Sequence, residues 1–125
     1  MKTTIILSMG AAVLLSISAN AQTFKTNRAN RQAKRQANAQ NIHNANIAIH
    51  NNNVATYQTN KNNRQAATAD GVLSKDEVKA TYQANAQNRR NTAKTNNSVK
   101  NETIESNRIN RRNTFKVNRA NRHQQ

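Results

Sequence analysis

The sequence predicts an extended, non-globular chain that is mainly α-helical where it is ordered, with extensive disorder and no compact core. Three observations predict this class. Residues 22–125 hold only thirteen Leu, Ile, Val and Phe residues, too few to build a core in a strongly charged chain. Their 23 Asn and 10 Gln, with Arg and Ala, give a low-complexity polar composition. The chain has no Pro, no Cys and two Gly, so it lacks disulfide bonds and most residues that form hairpin turns.

The helical part of this prediction depends on residue propensities and on one strong local signal. Ala, Gln, Lys and Arg favour helix, whereas Asn weakens it by hydrogen-bonding its own backbone. Asp70-Gly71 indicates a turn, and Ser74 with Glu77 three residues later has the pattern of a capping box. We therefore predict a helix from about Lys75 to Asn91, with Leu73 and Val78 spaced as a hydrophobic staple.

Residues 1–21 have the pattern of a signal peptide. Lys2 supplies the positive start, an apolar stretch runs from Ile5 to Ile17, and Ala19-Asn20-Ala21 fits the small-x-small cleavage rule. We expect cleavage after Ala21 and a secreted or periplasmic location. The exported basic region then comprises four segments: a basic N-terminal segment (22–41), a polar Asn-rich segment (42–69), a turn plus capped helix (70–93) and a basic C-terminal segment (94–125).

Internal repeats are present, although we find no strict period along the chain. Residues 24–31 recur at 115–122 with seven of eight positions identical, and residues 55–58 recur at 80–83. Asn63-Arg64 follows residues 55–58 at the same distance at which Asn88-Arg89 follows residues 80–83. Eight of the eleven Arg directly follow an Asn. Either drift in a low-complexity sequence or two basic binding ends joined by a polar middle explains this pattern.

The two basic ends are the candidate binding segments. The formal charge is +15, and on an ideal helix each end forms a narrow basic stripe with one Phe in it. The stripes are Phe24, Arg28, Arg31 and Arg35 at one end, and Arg108, Arg112, Phe115, Arg119 and Arg122 at the other. The guanidinium group of Arg pairs with two phosphate or carboxylate oxygens at once, and a Phe ring adds stacking or apolar contact. The candidate polyanion-binding residues are Arg28, Arg31, Arg35, Arg108, Arg111, Arg112, Arg119, Arg122, Phe24 and Phe115.

These features predict an exported, non-enzymatic cationic protein that binds polyanions without sequence specificity. The expected partners are extracellular nucleic acid, acidic polysaccharide, lipopolysaccharide or an anionic membrane surface. Catalysis is not expected, because no nucleophile has a neighbouring base and the five acidic residues form no catalytic pair. A self-associating structural or matrix protein and a membrane-active cationic peptide precursor remain alternatives.

Residues 66–77 resemble the second half of an EF-hand calcium loop. Asp70 matches the fifth position, Gly71 the sharp turn, Ser74 the ninth position and Glu77 the bidentate twelfth. The first and third ligand positions are occupied by Ala and Thr instead of acidic residues. The resemblance implies weak calcium-ligand candidates at Asp70, Ser74 and Glu77 and a degenerate calcium-binding protein as a further alternative; otherwise no cofactor is predicted. A capped helix start explains the same residues.

Overall fold

The structure is a computed structural model that describes the backbone of residues 2–123 and the side chains of residues 20–123. It contains two helices, α1 (Lys2–Ala66) and α2 (Lys75–His123), joined by a turn at residues 67–74. The predicted signal peptide, residues 1–21, falls almost entirely outside the described side chains. Over the described residues, neither helix contains a stretch long and apolar enough to cross a membrane.

The chain divides into two compact units. The turn unit comprises residues 40–106, which include the last part of α1, the turn and the first part of α2. The terminal unit comprises residues 1–39 and 107–125, which bring the remaining part of each helix together. Within each unit, the two helical segments pack against each other in antiparallel directions.

The prediction of an extended, extensively disordered chain without a compact core is therefore wrong. The error came from treating apolar burial as the only means of holding helices together. Among the described side chains, the buried ones are Asn27, Asn60, Asn85 and Asn118, with 4–8% of their surface exposed, and none is hydrophobic. The helices pack through polar side chains that satisfy one another's hydrogen bonds. The prediction of helix is confirmed; α2 is longer than predicted, and α1 is a helix for which the sequence analysis gave no bounds.

Asn side chains form a ladder of hydrogen bonds between the helices of the turn unit. In each rung, the amide NH₂ of one Asn donates to the side-chain carbonyl of an Asn on the other helix. Between these rungs, the hydroxyl groups of Thr56 and Thr92 contact each other. The amide rungs include Asn52 to Asn96 (2.9 Å), Asn96 to Asn53 (2.9 Å), Asn88 to Asn60 (3.1 Å) and Asn63 to Asn85 (2.9 Å).

The terminal unit contains a ladder of the same kind. Each step of three or four residues forward along α1 is matched by an equal step backward along α2, so the register is constant within the unit. No buried side-chain nitrogen or oxygen among the described residues lacks a hydrogen-bond partner. The rungs are Asn121 to Asn27, Asn30 to Asn118 and Asn110 to Asn38, each 3.0 Å long.

The interface positions recur with an 11-residue period. Eleven residues in three turns give about 3.67 residues per turn, close to the natural helix, so the same face meets the partner helix over many turns. The expectation that no strict period runs through the chain is therefore wrong; the period is carried by Asn and Thr, not by apolar residues. In α2, successive interface positions are separated by four, four and three residues: 77, 81, 85, 88, 92, 96, 99, 103, 107, 110, 114, 118 and 121.

The turn between the helices has the local structure that the sequence predicts. Gly71 has a positive φ of 78°, and the backbone amide of Val72 donates to the Asp70 carboxylate at 3.1 Å. The capping box is confirmed: the Glu77 amide donates to Ser74 Oγ (3.2 Å), and the Ser74 amide donates to Glu77 Oε2 (2.9 Å). Helix α2 begins at Lys75 as predicted but continues to His123, well beyond the predicted end.

The first prediction concerns Gly71. A Cβ atom at this position would meet no atom within 4 Å, so the positive φ alone determines the effect of a substitution. We expect Gly71→Ala to lower the free energy of unfolding by about 1 kcal/mol and Gly71→Asn to lower it less, because Asn tolerates this region. Thermal unfolding followed by circular dichroism measures both. Equal stability of the Ala variant and the native chain would contradict the prediction.

The second prediction concerns the ladder. Asn85→Ala removes the acceptor of Asn63 and the donor to the Asn60 backbone carbonyl. We expect the free energy of unfolding to fall by about 1–3 kcal/mol, because a buried amide loses its partner. The matched control is Asn62→Ala on an exposed position, where Ala instead raises helix propensity. If both variants were equally stable in chemical denaturation, the ladder would contribute nothing.

Candidate polyanion-binding face

The Asn-Arg dipeptides place Asn and Arg on different faces of a helix. A residue that directly follows an interface residue lies about 100° further around the helix. Because the paired helices are antiparallel, this rotation carries the following residue of both helices to the same side of the pair. Within each unit, the Asn of every Asn-Arg dipeptide occupies an interface position, so the Arg that follows it lies on that side of its own unit. We call this side the basic face.

In the terminal unit, the basic face contains most of the residues that the sequence singled out. A groove of about 570 Å³ is lined by Arg31 from α1 and by Arg111, Arg112, Phe115 and Arg122 from α2. A second hollow, of about 580 Å³, lies along α1. It is lined by Phe24, Arg28, Arg31 and Arg35 together with Gln32.

The two basic ends of the sequence are thus not separate binding ends. They pack against each other in one unit, and the groove takes side chains from both. Arg108 and Arg119 also directly follow interface positions, so they belong to the same face, and both are exposed. The structure therefore brings nine of the ten predicted residues to one side of the terminal unit; Arg112, which does not directly follow an interface position, is the exception.

Charge is distributed very unevenly in the terminal unit. Its residues, 1–39 and 107–125, include no Asp or Glu, because every acidic residue of the chain lies between 70 and 105. The aromatic side chains of the basic face are largely exposed, Phe24 by 64% and Phe115 by 60%. On the opposite side, the residues that directly precede interface positions are uncharged: Thr26, Ala29, Ala33, Ala37, Ile109, Asn113, Val117 and Ala120. Of the two sides that flank the interface in this unit, only the basic face carries Arg among the described residues.

The turn unit contains a groove that the sequence analysis missed. A hollow of about 490 Å³ is lined by Tyr57 and Arg64 from α1 and by Arg89 from α2. Nearer the turn, a hollow of about 400 Å³ is lined by the same two Arg with Tyr82 and the apolar Leu73 and Val78. We call these two hollows together the tyrosine groove. The Leu73 and Val78 side chains of the predicted staple both line one end of it.

A sequence signal for this groove exists in the interface period. Each of the four aromatic residues of the chain directly follows an interface Thr, and each is followed seven residues later by an Arg. The two pairs of repeats that the sequence shows are thus four copies of one pattern. The copies are Thr23-Phe24 with Arg31, Thr56-Tyr57 with Arg64, Thr81-Tyr82 with Arg89, and Thr114-Phe115 with Arg122.

The calcium-ligand candidates lie in the turn, where their oxygens accept backbone hydrogen bonds. Asp70 accepts from Val72, Ser74 accepts from Glu77, and the Glu77 carboxylate accepts from Ser74. Ala66, at the first position of the EF-hand pattern, is the last residue of α1. Within residues 20–123 no group of three or more His, Cys, Asp or Glu is placed to hold a metal ion.

Comparisons with protein families, with characterised proteins and with solved structures find no match to this chain.

The third prediction distinguishes the cap from a calcium ligand. Ser74→Ala removes the acceptor of the Glu77 amide, and we expect the free energy of unfolding to fall by about 1 kcal/mol. The loss should be the same in excess calcium and in excess chelator, as measured by thermal denaturation. A loss seen only in calcium would assign Ser74 to a metal site. Ser98→Ala, an exposed Ser within α2, is the control.

Proposed function

We propose that this chain is an exported, non-enzymatic cationic protein that binds polyanions without sequence specificity through the basic face of its terminal unit. The observation that carries the proposal is the groove in which Arg31 of one end meets Arg111 and Arg122 of the other. Export is inferred from the signal-peptide pattern of residues 1–21. The ligand classes that fit are nucleic acid, acidic polysaccharide, lipopolysaccharide and an anionic membrane surface.

The one-sided distribution of Arg supports binding rather than solubility. Charges that served only solubility would have no reason to lie on one side of the helix pair. Seven of the eight Arg of the terminal unit directly follow interface positions; Arg112 is the exception. Among its described residues, the exposed Lys25 and Lys116 lie instead at positions that turn away from the partner helix. Arg, whose planar group forms bidentate contacts with phosphate or carboxylate, is therefore concentrated where a ligand would lie.

The absence of acidic residues from the terminal unit favours a long polyanion as the ligand. On α1, Arg28, Arg31 and Arg35 are three and four residues apart, about 5–6 Å along the axis, so an extended ligand contacts several at once. Each contact releases counterions from the polyanion, and this release supplies affinity without any sequence reading. Phe24 and Phe115 add contact surface beside these charges.

The fourth prediction tests whether the affinity for a polyanion depends on the basic face or on net charge alone. Two double variants lower the net charge equally: Arg31→Gln with Arg122→Gln, and Lys25→Gln with Lys116→Gln. Only the Arg pair lies in the basic face. Fluorescence anisotropy with labelled duplex DNA over a salt series measures affinity and its salt dependence. We expect the Arg variant to bind more weakly and its log–log salt slope to fall by about two, with little change in the Lys variant.

Two outcomes would contradict the proposal. If the native chain did not bind at low salt, or bound with no salt dependence, polyanion binding would be excluded. If the Arg and Lys variants lost affinity equally, the interaction would depend on net charge, and the basic face would have no special role. Circular dichroism of each variant checks that the helices are retained.

A further inference from the structure

The tyrosine groove combines exposed aromatic rings with cationic groups. Tyr57 and Tyr82 expose 65% and 68% of their surface, although they lie beside a tightly paired interface. Arg64 and Arg89 line both hollows, so each ring has a guanidinium group of the opposite helix in the same hollow. The remaining lining consists of Asn, Thr, Ala, Leu and Val, and no acidic residue contributes.

The four-copy pattern indicates which property of the aromatic residue matters. At the equivalent position the terminal unit has Phe24 and Phe115, whereas the turn unit has Tyr57 and Tyr82. Phe lacks the hydroxyl group, so the property common to all four positions is the ring. A flat ring with an Arg beside it stacks on a planar partner while the Arg neutralises a neighbouring anion.

We propose that the tyrosine groove is a second binding site and that its ligand is single-stranded nucleic acid, with bases stacked on Tyr57 and Tyr82 and phosphates paired with Arg64 and Arg89. This inference rests on the proposed function and names the polyanion class. Nucleic acid carries planar rings beside phosphates, as the groove carries aromatic rings beside guanidinium groups. Acidic polysaccharides have no aromatic rings, and a membrane surface requires a broader apolar face.

A single strand fits better than a duplex, because base faces in a duplex are already stacked on one another. Stacking is tolerant of sequence, since every base has a π face. The groove would therefore add affinity for unpaired strands without reading their sequence.

The test compares two oligonucleotides with the same number of phosphates. One is a labelled homopyrimidine strand, and the other is an abasic strand of equal length, so the two differ in bases and not in charge. Anisotropy titrations use the native chain and two double variants. The Ala variant carries both Tyr57→Ala and Tyr82→Ala, and the Phe variant carries both Tyr57→Phe and Tyr82→Phe. Val54→Ala removes an exposed apolar group that lines neither hollow and serves as the control.

The native chain should bind the base-bearing strand at least about fivefold more tightly than the abasic strand. The Ala variant should lose this preference while keeping its affinity and salt slope for the abasic strand. The Phe variant and the Val54 variant should keep it. Because both tyrosines are largely exposed, the ladder should survive these changes, and circular dichroism verifies this.

Three results would overturn the inference. Equal affinity of the native chain for both strands would exclude base stacking but leave polyanion binding intact. Retention of the preference in the Ala variant would exclude the tyrosine groove as its source. Absence of binding to either strand at low salt would instead overturn the proposed function itself.

Discussion

Hydrogen bonding between Asn side chains is the interaction on which this structure depends. In each unit the buried side chains are amides, and each amide meets another across the interface. A single hydrogen bond of this kind contributes only about 1 kcal/mol, but a buried amide without a partner costs as much or more. The arrangement thus favours one register, in which every buried amide is paired, over any shifted one. A polar residue in a helix interface has the same effect in coiled coils, where it fixes register at a cost in stability.

The interface also determines what the outer surface presents. Within a unit, the residue after an interface position falls on the same side of the helix pair. A dipeptide therefore determines the position of two side chains: in Asn-Arg, the Asn amide lies in the interface and the Arg guanidinium lies on the basic face. Thr before an aromatic residue does the same for a ring. The large apolar side chains, displaced from the interface, remain exposed; Tyr82 exposes 68% of its surface. Interface residues and the outward-facing Arg or aromatic residues therefore follow one another within one repeat, and neither set can shift along the helix without the other.

Part of this arrangement could be predicted from the sequence. The cap at Ser74, the start of α2 and the Phe and Arg stripes follow from local spacing, which needs no knowledge of the partner helix. The length of α2 and the packing could not be predicted the same way. Helix packing is normally recognised from apolar periodicity, and here residues such as Asn85 and Thr92 carry the period instead. Asn is a poor helix former in isolation, so its high frequency predicts disorder when hydrogen bonds to a partner helix are not considered. Tyr57 and Tyr82 were missed because their repeat was not aligned with that of Phe24 and Phe115.

The most direct test of this account is a double-mutant cycle on Asn30 and Asn118, whose side chains are joined by a 3.0 Å hydrogen bond in the terminal unit. The free energies of unfolding of Asn30→Ala, Asn118→Ala and the double variant give the coupling between the two sites. The account predicts a coupling of about 1 kcal/mol, with the double variant less destabilised than the sum of the single ones, because neither buried amide is then left without its partner. Additive effects, with no coupling, would show that Asn pairing does not hold the helices together and would contradict the account.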